Sequence, residues 1–208
     1  MHMKLSVIIV SYNVCHYLCQ CLDAVWRAAQ VANVETEVFV VDNHSTDGSV
    51  ALLSREYASY LTAEGEGHCR LHLIANHHNA GFGRANNQAL RQCTGDYILF
   101  LEAKSCPQLG AIGVKMMYPD GRFAFESRRG LPTLWVAFCK MSGLNTLFPH
   151  SRLFGRYYLR FLPEEESASI DIVSGAFMFC SRTALEHCGG FDESFFMYGE
   201  DIDLSYRF

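Results

Sequence analysis

Three stretches of polar residues follow apolar, strand-like runs of the sequence. Ser11-Tyr12-Asn13 comes after the first run, Asp42 to Asp47 after the second, and Asn76 to Gly83 after the third. If these runs form a parallel sheet, their carboxyl ends meet at one edge, which is where ligands bind in such sheets. The sequence therefore predicts a ligand site at this edge.

Asp42 is the most informative of these residues, because its carboxylate could accept a hydrogen bond from a nucleobase N–H group or a ribose hydroxyl. The alternative is a turn or helix N-cap role, which Ser45 or Asp47 could fill instead. A dinucleotide-binding protein would show G-x-G-x-x-G after the first strand, where S-Y-N-V stands. The later Gly81-Phe82-Gly83 lacks the third glycine. The pattern argues against a dinucleotide-binding protein.

The alternation of strands and helices determines where these polar residues lie. The sequence predicts four strands, at Leu5–Val10, Glu37–Val41, Leu71–Ala75 and Tyr97–Leu101. Apolar residues at helical spacing predict helices around Leu18–Ala29 and Val50–Tyr57, with a short one at Ala85–Cys93. This alternation is typical of βαβ units in a parallel α/β sheet with right-handed crossovers. Beyond Gly110 it fades, leaving a predicted strand at Ile172–Phe179 and a helix at Thr183–Cys188.

Composition limits the class of protein. The 208 residues fit one domain, and with 50% apolar and 19% charged residues the chain is globular rather than disordered. The net charge of −5 and the pI near 6.0 argue against a nucleic-acid partner. The nine cysteines form no C-x-x-C pair, which favours scattered reduced thiols over a zinc site and hence a cytoplasmic protein. No signal peptide precedes Lys4, and no apolar run approaches the ~20 residues of a membrane span.

Several motifs together resemble those of a known enzyme family. They are V-I-I-V-S-Y-N, V-V-D-N-x-S-T-D-G-S, N-x-G-F-G-x-A-N-N and G-D-Y-I-L-F-L, followed by S-G-A-F-M-F and G-G-F-D-E-S-F-F-M-Y-G-E-D-I-D-L-S-Y-R. Jointly they are similar to family 2 glycosyltransferases of the GT-A fold, in the branch called rhamnosyltransferase-like. The resemblance covers nearly the whole chain. It implies a Rossmann-like, mainly parallel sheet flanked by helices, with an additional C-terminal region on the acceptor side.

The resemblance also implies roles for individual residues. The nucleoside of a nucleotide-sugar donor would be held by Ser11, Tyr12, Asn13, Asp42 and Asn43. The other side of that pocket would be lined by Asn79, Gly81, Arg84 and Asn86, with Arg84 a candidate for the diphosphate. Gly175 and Ala176 would let the sugar and the acceptor approach the backbone closely. Glu200-Asp201 matches the family's Glu-Asp pair, in which the aspartate is the general base.

Asp201 also has a chemical argument of its own. Inverting sugar transfer needs one carboxylate to take the proton of the acceptor hydroxyl as it attacks the anomeric carbon. No covalent glycosyl-enzyme forms, so one base suffices, unlike the paired carboxylates of hydrolases. The alternative is that Glu200, Asp201 and Asp203 only place negative charge in the first turn of a helix that starts near Ile202. Together with the other motifs, catalysis is the favoured interpretation.

We therefore predict a single GT-A domain over residues 1–208, with a nucleotide-binding half at 1–101 and an acceptor-side half at 102–208 that is truncated at its C-terminus. The expected activity is inverting transfer from a nucleoside-diphosphate sugar to a glycan or lipid-linked acceptor, in the cytoplasm and at the inner face of the membrane. The resemblance implies Mg²⁺ or Mn²⁺ as cofactor, because the departing nucleoside diphosphate gains negative charge. The alternative is a catalytically inactive nucleotide-sugar binding module.

The stretch after the fourth predicted strand lacks the metal ligands that the resemblance implies. The family's Asp-x-Asp-like turn belongs there, but Glu102, Ala103, Lys104 and Ser105 stand in its place. Only eight residues, 102–109, separate Leu101 from the next apolar run, whereas a parallel crossover needs at least ~10–12. We therefore expect a break in the chain between Leu101 and Glu102, with very roughly 15 residues missing. The metal ligands are unknown from this sequence.

A basic and aromatic segment stands out in the second half. Between Ser127 and Leu162 there are six basic residues and no acidic one, and seven aromatic residues lie within Leu134–Leu162. Aromatic residues and cations together suit a membrane surface or a lipid-linked acceptor. The alternative is a basic helical subdomain packed on the sheet.

Overall fold

A mixed, mainly parallel sheet lies at the centre of the fold. The computed structural model describes residues 3–61, 69–102, 116–118, 120, 122–164, 166, 168 and 170–207. Its strands are β1 (Lys4–Ser11), β2 (Glu35–Asp42), β3 (Cys69–Ala75), β4 (Tyr97–Glu102), β5 (Arg128–Arg129), β6 (Ile172–Val173) and β7 (Phe177–Ser181). Five of them form a sheet in the order β3-β2-β1-β4-β7, in which only β7 is antiparallel to its neighbour. The short β5 and β6 pair separately. The predicted fold class is confirmed.

Helices cover both faces of this sheet. Residues of α1 and α2 belong to the cluster on one face, and residues of α3, α6 and α7 to the cluster on the other. The helices of the described chain are α1 (Cys15–Ala32), α2 (Ser49–Glu56), α3 (Phe82–Leu90), α4 (Leu134–Met141), α5 (Leu144–Leu147), α6 (Arg182–Cys188) and α7 (Glu200–Arg207), with 3-10 turns at Ala58–Tyr60 and Phe125–Ser127. In the part of the chain that the structure describes, no helix combines the length and the apolar character needed to cross a membrane.

The central strands are buried on both faces of the sheet, which explains why their sequences are apolar at successive positions. Val7 and Ile9 of β1 pack with α1 residues, whereas Ile8 and Val10 pack with α3 residues on the opposite face. A parallel sheet covered on both faces needs apolar side chains at successive positions rather than at alternate ones. Trp26 of α1 is buried in the same hydrophobic cluster as Val7 and Ile9.

The predicted strand at Ile172–Phe179 is two strands. The chain turns at Gly175, where the Phe177 N–H group donates to Ser174 O at 3.1 Å. As a result β6 pairs with β5, and β7 pairs with β4 in the main sheet. Two helices also begin earlier than predicted, α3 at Phe82 and α7 at Glu200.

The predicted break between Leu101 and Glu102 is wrong. Both residues belong to β4 and pair in consecutive register with Ile9 and Val10 of β1. The strand that follows β4 at its free edge is the antiparallel β7, which comes much later in the chain. No parallel crossover therefore has to fit between 102 and 109, and the length of this stretch does not require a break in the chain. Residues 103–115 lie outside the described residues.

Glu37 is a buried carboxylate at the end of the sheet opposite to the polar strand ends. Its Oε1 accepts hydrogen bonds from Ser6 Oγ at 2.6 Å and from the Thr94 N–H group at 2.5 Å. Its Oε2 accepts from the Thr94 hydroxyl at 3.0 Å and lies 3.3 Å from Lys4 Nζ. Burial raises the pKa of Glu37, but these donors and Lys4 outweigh it, so the pKa lies below its usual value.

We expect Glu37→Gln to lower the free energy of unfolding by about 1–3 kcal/mol at neutral pH, because the charged acceptor of three donors is lost. The folded-state pKa is the lower one, so the contribution of Glu37 is present above pH ~4.5 and is lost as the pH falls through the folded-state pKa. In urea unfolding across this acidic range, the free energy of unfolding should therefore fall less steeply with decreasing pH in the variant than in the unsubstituted protein. Glu35→Gln, which removes an exposed carboxylate 3.5 Å from Lys4, serves as the control. If the free energy of unfolding falls equally steeply with decreasing pH in Glu37→Gln and in the unsubstituted protein, this role of Glu37 is contradicted.

Candidate active site

The parallel register of β1 and β2 brings two predicted ligand-binding residues together. Ser11 and Asp42 are paired positions at the strand ends, and both side chains are buried. Asp42 Oδ2 accepts the N–H group of Ser45 at 2.9 Å. Ser11 Oγ and Asp42 Oδ1 find no hydrogen-bond partner among the described residues. A buried carboxylate oxygen without a donor is costly, so this pair is suited to the N–H or O–H groups of a ligand.

The turn role that was the alternative for Asp42 belongs mainly to Asp47. Asp47 accepts the N–H groups of Cys15 at 2.8 Å and Ser49 at 3.1 Å, at the starts of α1 and α2. Burial raises the pKa of Asp47, but hydrogen bonds from Ser49 and Cys15 outweigh it and the pKa lies below its usual value. Asp42 uses one oxygen in the turn, and its other oxygen has no partner among the described residues.

Asn13 and Asn43 hold the loops of this edge in place. Asn13 has a left-handed backbone with φ 53°, and its Oδ1 accepts the Thr46 N–H group at 2.8 Å. Asn43 Nδ2 donates to Gly81 O at 3.2 Å, and its Oδ1 accepts from Asn76 and Ala80. These contacts bind the loops after β1, β2 and β3 to one another.

Tyr12 differs from Ser11 in its exposure. Its side chain is half exposed, next to the buried Ser11. Tyr12 is therefore accessible to a ligand from solvent.

Gly81 fixes the approach of a distant loop to the start of α3. Its φ is +84°, and a Cβ at this position would collide with the carbonyl oxygen of Phe196. That oxygen also accepts the N–H group of Phe82 at 3.1 Å. The loop that precedes α7 is thereby held against the first turn of α3, a contact that any side chain at Gly81 would disturb.

The other predicted residues of the α3 region have different surroundings. Asn79 Oδ1 accepts the Gly81 N–H group at 2.9 Å within the loop. Asn86 is fully buried, donates to Phe82 O at 2.9 Å, and has an Oδ1 without a partner among the described residues. Arg84 is exposed and donates to Glu193 O at 3.1 Å. The observed contact of Arg84 is thus with the loop before α7 and not with the ends of β1 and β2.

The Glu200-Asp201 pair lies at the start of α7, and both side chains are buried. A Cβ at Gly175 would lie 3.3 Å from Asp201 Cβ and 3.3 Å from the Phe82 ring. A Cβ at Gly83 would lie 3.8 Å from Glu200 Cβ. The starts of α3 and α7 and the turn at Gly175 therefore meet.

Three donors hold the Asp201 carboxylate. Oδ2 accepts from Arg129 Nη2 at 2.6 Å and from the Gly175 N–H group at 3.2 Å. Oδ1 accepts the N–H group of Ile202 at 2.9 Å. The arginine is a site residue that sequence reasoning missed, because its contact spans 72 residues and no local pattern marks it.

Two further residues, which hold the loop before α7, were also missed. Asn87 donates to Phe191 O at 2.8 Å and accepts the Phe191 N–H group at 3.1 Å. Arg207 binds Asp203 Oδ2 at 2.5 Å and also donates to Gly190 O at 2.7 Å. Both residues belong to quoted motifs, and the i,i+4 spacing of Asp203 and Arg207 was a signal for their ion pair.

The described residues do not form a metal site by themselves. No group of three or more His, Cys, Asp or Glu side chains within them could hold a metal ion. Residues 103–115, which include the position where the family resemblance places the metal turn, lie outside the described ranges.

Comparison with known proteins gives consistent matches. Residues 6–112 match the family model described as glycosyl transferase family 2. An N-acetylglucosaminyl-diphospho-decaprenol L-rhamnosyltransferase of Mycobacterium tuberculosis is 26% identical over 197 residues, covering 82% of this chain and 60% of the relative. A pre-mycofactocin glycosyltransferase of the same organism is 27% identical over 143 residues, covering 67% of this chain and 29% of the relative. The chain thus spans less than two thirds of the length of these relatives.

Two solved structures resemble the fold over 99% of the chain. The mannosyltransferase PcManGT from Pyrobaculum calidifontis, in complex with GDP-Man and Mn²⁺, aligns with a TM-score of 0.56 at 20% identity over 51% of its own length. S. aureus TarS aligns with a TM-score of 0.59 at 19% identity over 33% of its own length.

Proposed function

Because the chain belongs to glycosyl transferase family 2, as the motifs predict, we propose that it transfers a sugar from a nucleoside-diphosphate sugar to an acceptor hydroxyl, with inversion at the anomeric carbon. One observation carries the proposal. The start of α3 contacts both the strand-end site, through Asn43 and Gly81, and the carboxylate site, through Phe82 and Gly175. A ligand bound beside Asp42 would therefore extend toward the carboxylates of α7.

Each residue then has a defined task. Asp42 Oδ1 and Ser11 Oγ bind the nucleoside, because both are buried and free of other partners among the described residues. The absence of a side chain at Gly175 lets its backbone approach Asp201 closely, and the Gly175 N–H group donates to Asp201 Oδ2 beside the place where the sugar and the acceptor would bind. The acceptor oxygen attacks the anomeric carbon, the bond to the diphosphate breaks with its electron pair, and Asp201 takes the hydroxyl proton. The mannosyltransferase bound to GDP-Man and the rhamnosyltransferase relative support this type of reaction.

Mg²⁺ or Mn²⁺ enters the proposal through the family alone. The ion would neutralise charge on the departing diphosphate, and the mannosyltransferase neighbour was solved with Mn²⁺. The described residues do not provide a metal site. We therefore assign no step of the reaction to a metal ion.

The test is a thermal-shift screen of nucleoside-diphosphate sugars, with and without Mn²⁺ or Mg²⁺. For any stabilising donor, nucleotide release and product are then measured with glycan and lipid-linked acceptors. Release matched by glycosylated product supports the proposal. Binding without any turnover would favour the inactive binding module, and stabilisation by no nucleotide sugar would contradict both.

We further propose that the acceptor is a glycan or a lipid-linked glycan at the inner face of the membrane, which the protein contacts through residues 134–162. On α4, Leu134, Phe138 and Met141 are exposed and lie on one face at helical spacing. Leu147, Phe148 and Leu153, which come later in the same segment, are also exposed. We call these six residues the α4–α5 surface.

The surroundings of the α4–α5 surface favour a membrane over packing on the sheet. Neither core cluster of the fold includes a residue of 134–162. Lys140, Arg152 and Arg156 are exposed in the same segment, where no acidic residue occurs. Apolar side chains next to cations are typical of a helix that lies in the headgroup region of an anionic bilayer.

We expect Met141→Glu to weaken binding to anionic vesicles by at least ~10-fold, because a side chain that would enter the bilayer is replaced by a charge. Co-sedimentation with phosphatidylglycerol-containing and pure phosphatidylcholine vesicles measures this effect. Val31→Glu is the matched control, because Val31 lies on α1 and has the same 89% exposure as Met141. Sedimentation of the unsubstituted protein that does not depend on the anionic lipid content would contradict membrane contact.

A further inference from the structure

The Asp201 carboxylate is held by an arginine from outside the helix that carries it. We propose that Arg129 is a positioning residue for the transfer reaction, and that it orients Asp201 so that Oδ1 is the atom that takes the proton. This inference rests on the function proposed above. Arg129 lies on β5, and its Nη2 is 2.6 Å from Asp201 Oδ2.

The hydrogen bonds of the two carboxylate oxygens are unequal. A carboxylate has about four lone-pair positions, two on each oxygen. Oδ2 accepts from both Arg129 and Gly175, which occupies its two positions. Oδ1 accepts only from Ile202 among the described residues, so one of its positions is open. The open position on Oδ1 is where an acceptor hydroxyl can donate its proton.

The Arg129–Asp201 ion pair is shielded enough from solvent to influence how the Asp201 carboxylate is held. The Arg129 and Asp201 side chains are 23% and 12% exposed, respectively. Exposed ion pairs contribute little, whereas removing one partner of a buried pair leaves an uncompensated charge. Without Arg129, Asp201 would keep the Gly175 and Ile202 donors but lose the contact that directs Oδ2 away from the acceptor.

Hydrogen bonds hold the backbone around Arg129, so that Arg129 can orient Asp201. Arg129 pairs with Ile172 of β6, which is almost completely buried. The next residue, Gly130, donates its N–H group to Tyr157 O at 3.2 Å. The preceding Arg128 donates to Leu162 O at 2.8 Å and Pro163 O at 3.0 Å. Arg129 therefore approaches Asp201 from a short strand whose backbone and neighbouring side chain are held by hydrogen bonds.

The test is a kinetic double-mutant cycle with Arg129→Ala, Asp201→Asn and the double variant. We expect Arg129→Ala to lower kcat by at least ~10-fold, with the donor KM within about two-fold of the unsubstituted enzyme. Because Arg129 acts through Asp201, adding Arg129→Ala to Asp201→Asn should cause no further loss. Arg129→Lys should keep part of kcat, because the contact uses a single nitrogen of the guanidinium.

Chemical rescue separates positioning from a structural role. Free guanidinium at concentrations that do not unfold the protein should restore part of the kcat of Arg129→Ala and none of the kcat of Asp201→Asn. Arg122→Ala is the control, since Arg122 pairs with Asp120 on the surface and should leave activity unchanged. If Arg129→Ala does not fold, Arg129→Gln takes its place in the cycle.

The outcomes distinguish this inference from the proposed function. An Arg129→Ala or Arg129→Gln enzyme with normal kcat, or a loss that adds in full to that of Asp201→Asn, would overturn the role of Arg129 alone. An Asp201→Asn enzyme that transfers at the normal rate would overturn the base assignment and, with it, this role of Arg129.

Discussion

Asp201→Asn is expected to reduce sugar transfer by at least ~10²-fold, the low end for loss of a general base, and to leave donor binding nearly intact. The amide cannot take the proton of the acceptor hydroxyl, but it is isosteric, and its single oxygen can still accept the N–H group of either Gly175 or Ile202. The substitution removes charge and basicity from a buried position without creating a cavity. The measurement is kcat for transfer together with calorimetric affinity for the donor.

Asp203→Asn is the matched control, because it makes the same change of charge in the same helix. Asp203 is bound to Arg207 rather than to the site, so its amide variant should retain most of kcat. Full activity in Asp201→Asn would move the catalytic role to Glu200 or to another residue. It would also restore the alternative that the α7 carboxylates only place charge at the first turn of a helix.

The strands could be predicted from the sequence because their cause is local. A strand buried on both faces needs a continuous apolar run, and β1, β2 and β4 have one, whereas the edge strand β3 contains the exposed Arg70 and the partly buried His72. Once these strands are parallel, the register places Ser11 beside Asp42, so part of the site follows from the same pattern. The convergence of Gly175 with Asp201 was expected only from the family resemblance.

What could not be predicted depends on contacts between distant parts of the chain. The apolar run at Ile172–Phe179 has the composition of one strand, and only the pairing partners of β6 and β7 show that it is two. Arg129 could be recognised as part of a basic segment but not as the partner of Asp201. The wrong expectation of a chain break came from assuming that the next strand beside β4 is parallel, a choice that residues 102–109 do not encode.

Asp42→Asn is expected to weaken donor binding by at least ~10-fold. A hydrogen bond to a charged group contributes about 1.5–3 kcal/mol, and the substitution converts the acceptor into a neutral amide. If the amide oxygen keeps the Ser45 N–H group, its NH₂ group occupies the position of Oδ1 and opposes a ligand donor. Calorimetric titration with the nucleoside diphosphate measures the loss. Asp96→Asn is the control, because Asp96 accepts the Lys4 N–H group at the opposite end of the sheet.

The stability of the same variant decides between a ligand role and a turn role for Asp42. A buried carboxylate oxygen without a donor is unfavourable in the unliganded protein, so replacing the charge should relieve that cost. We therefore expect unliganded Asp42→Asn to melt at the same temperature or a few degrees higher, about 2–4 °C for each kcal/mol gained. If the carboxylate only held the turn through Ser45, the variant would melt lower and bind the nucleotide normally. Weaker binding without a loss of stability identifies Asp42 as a residue that the fold keeps for its ligand.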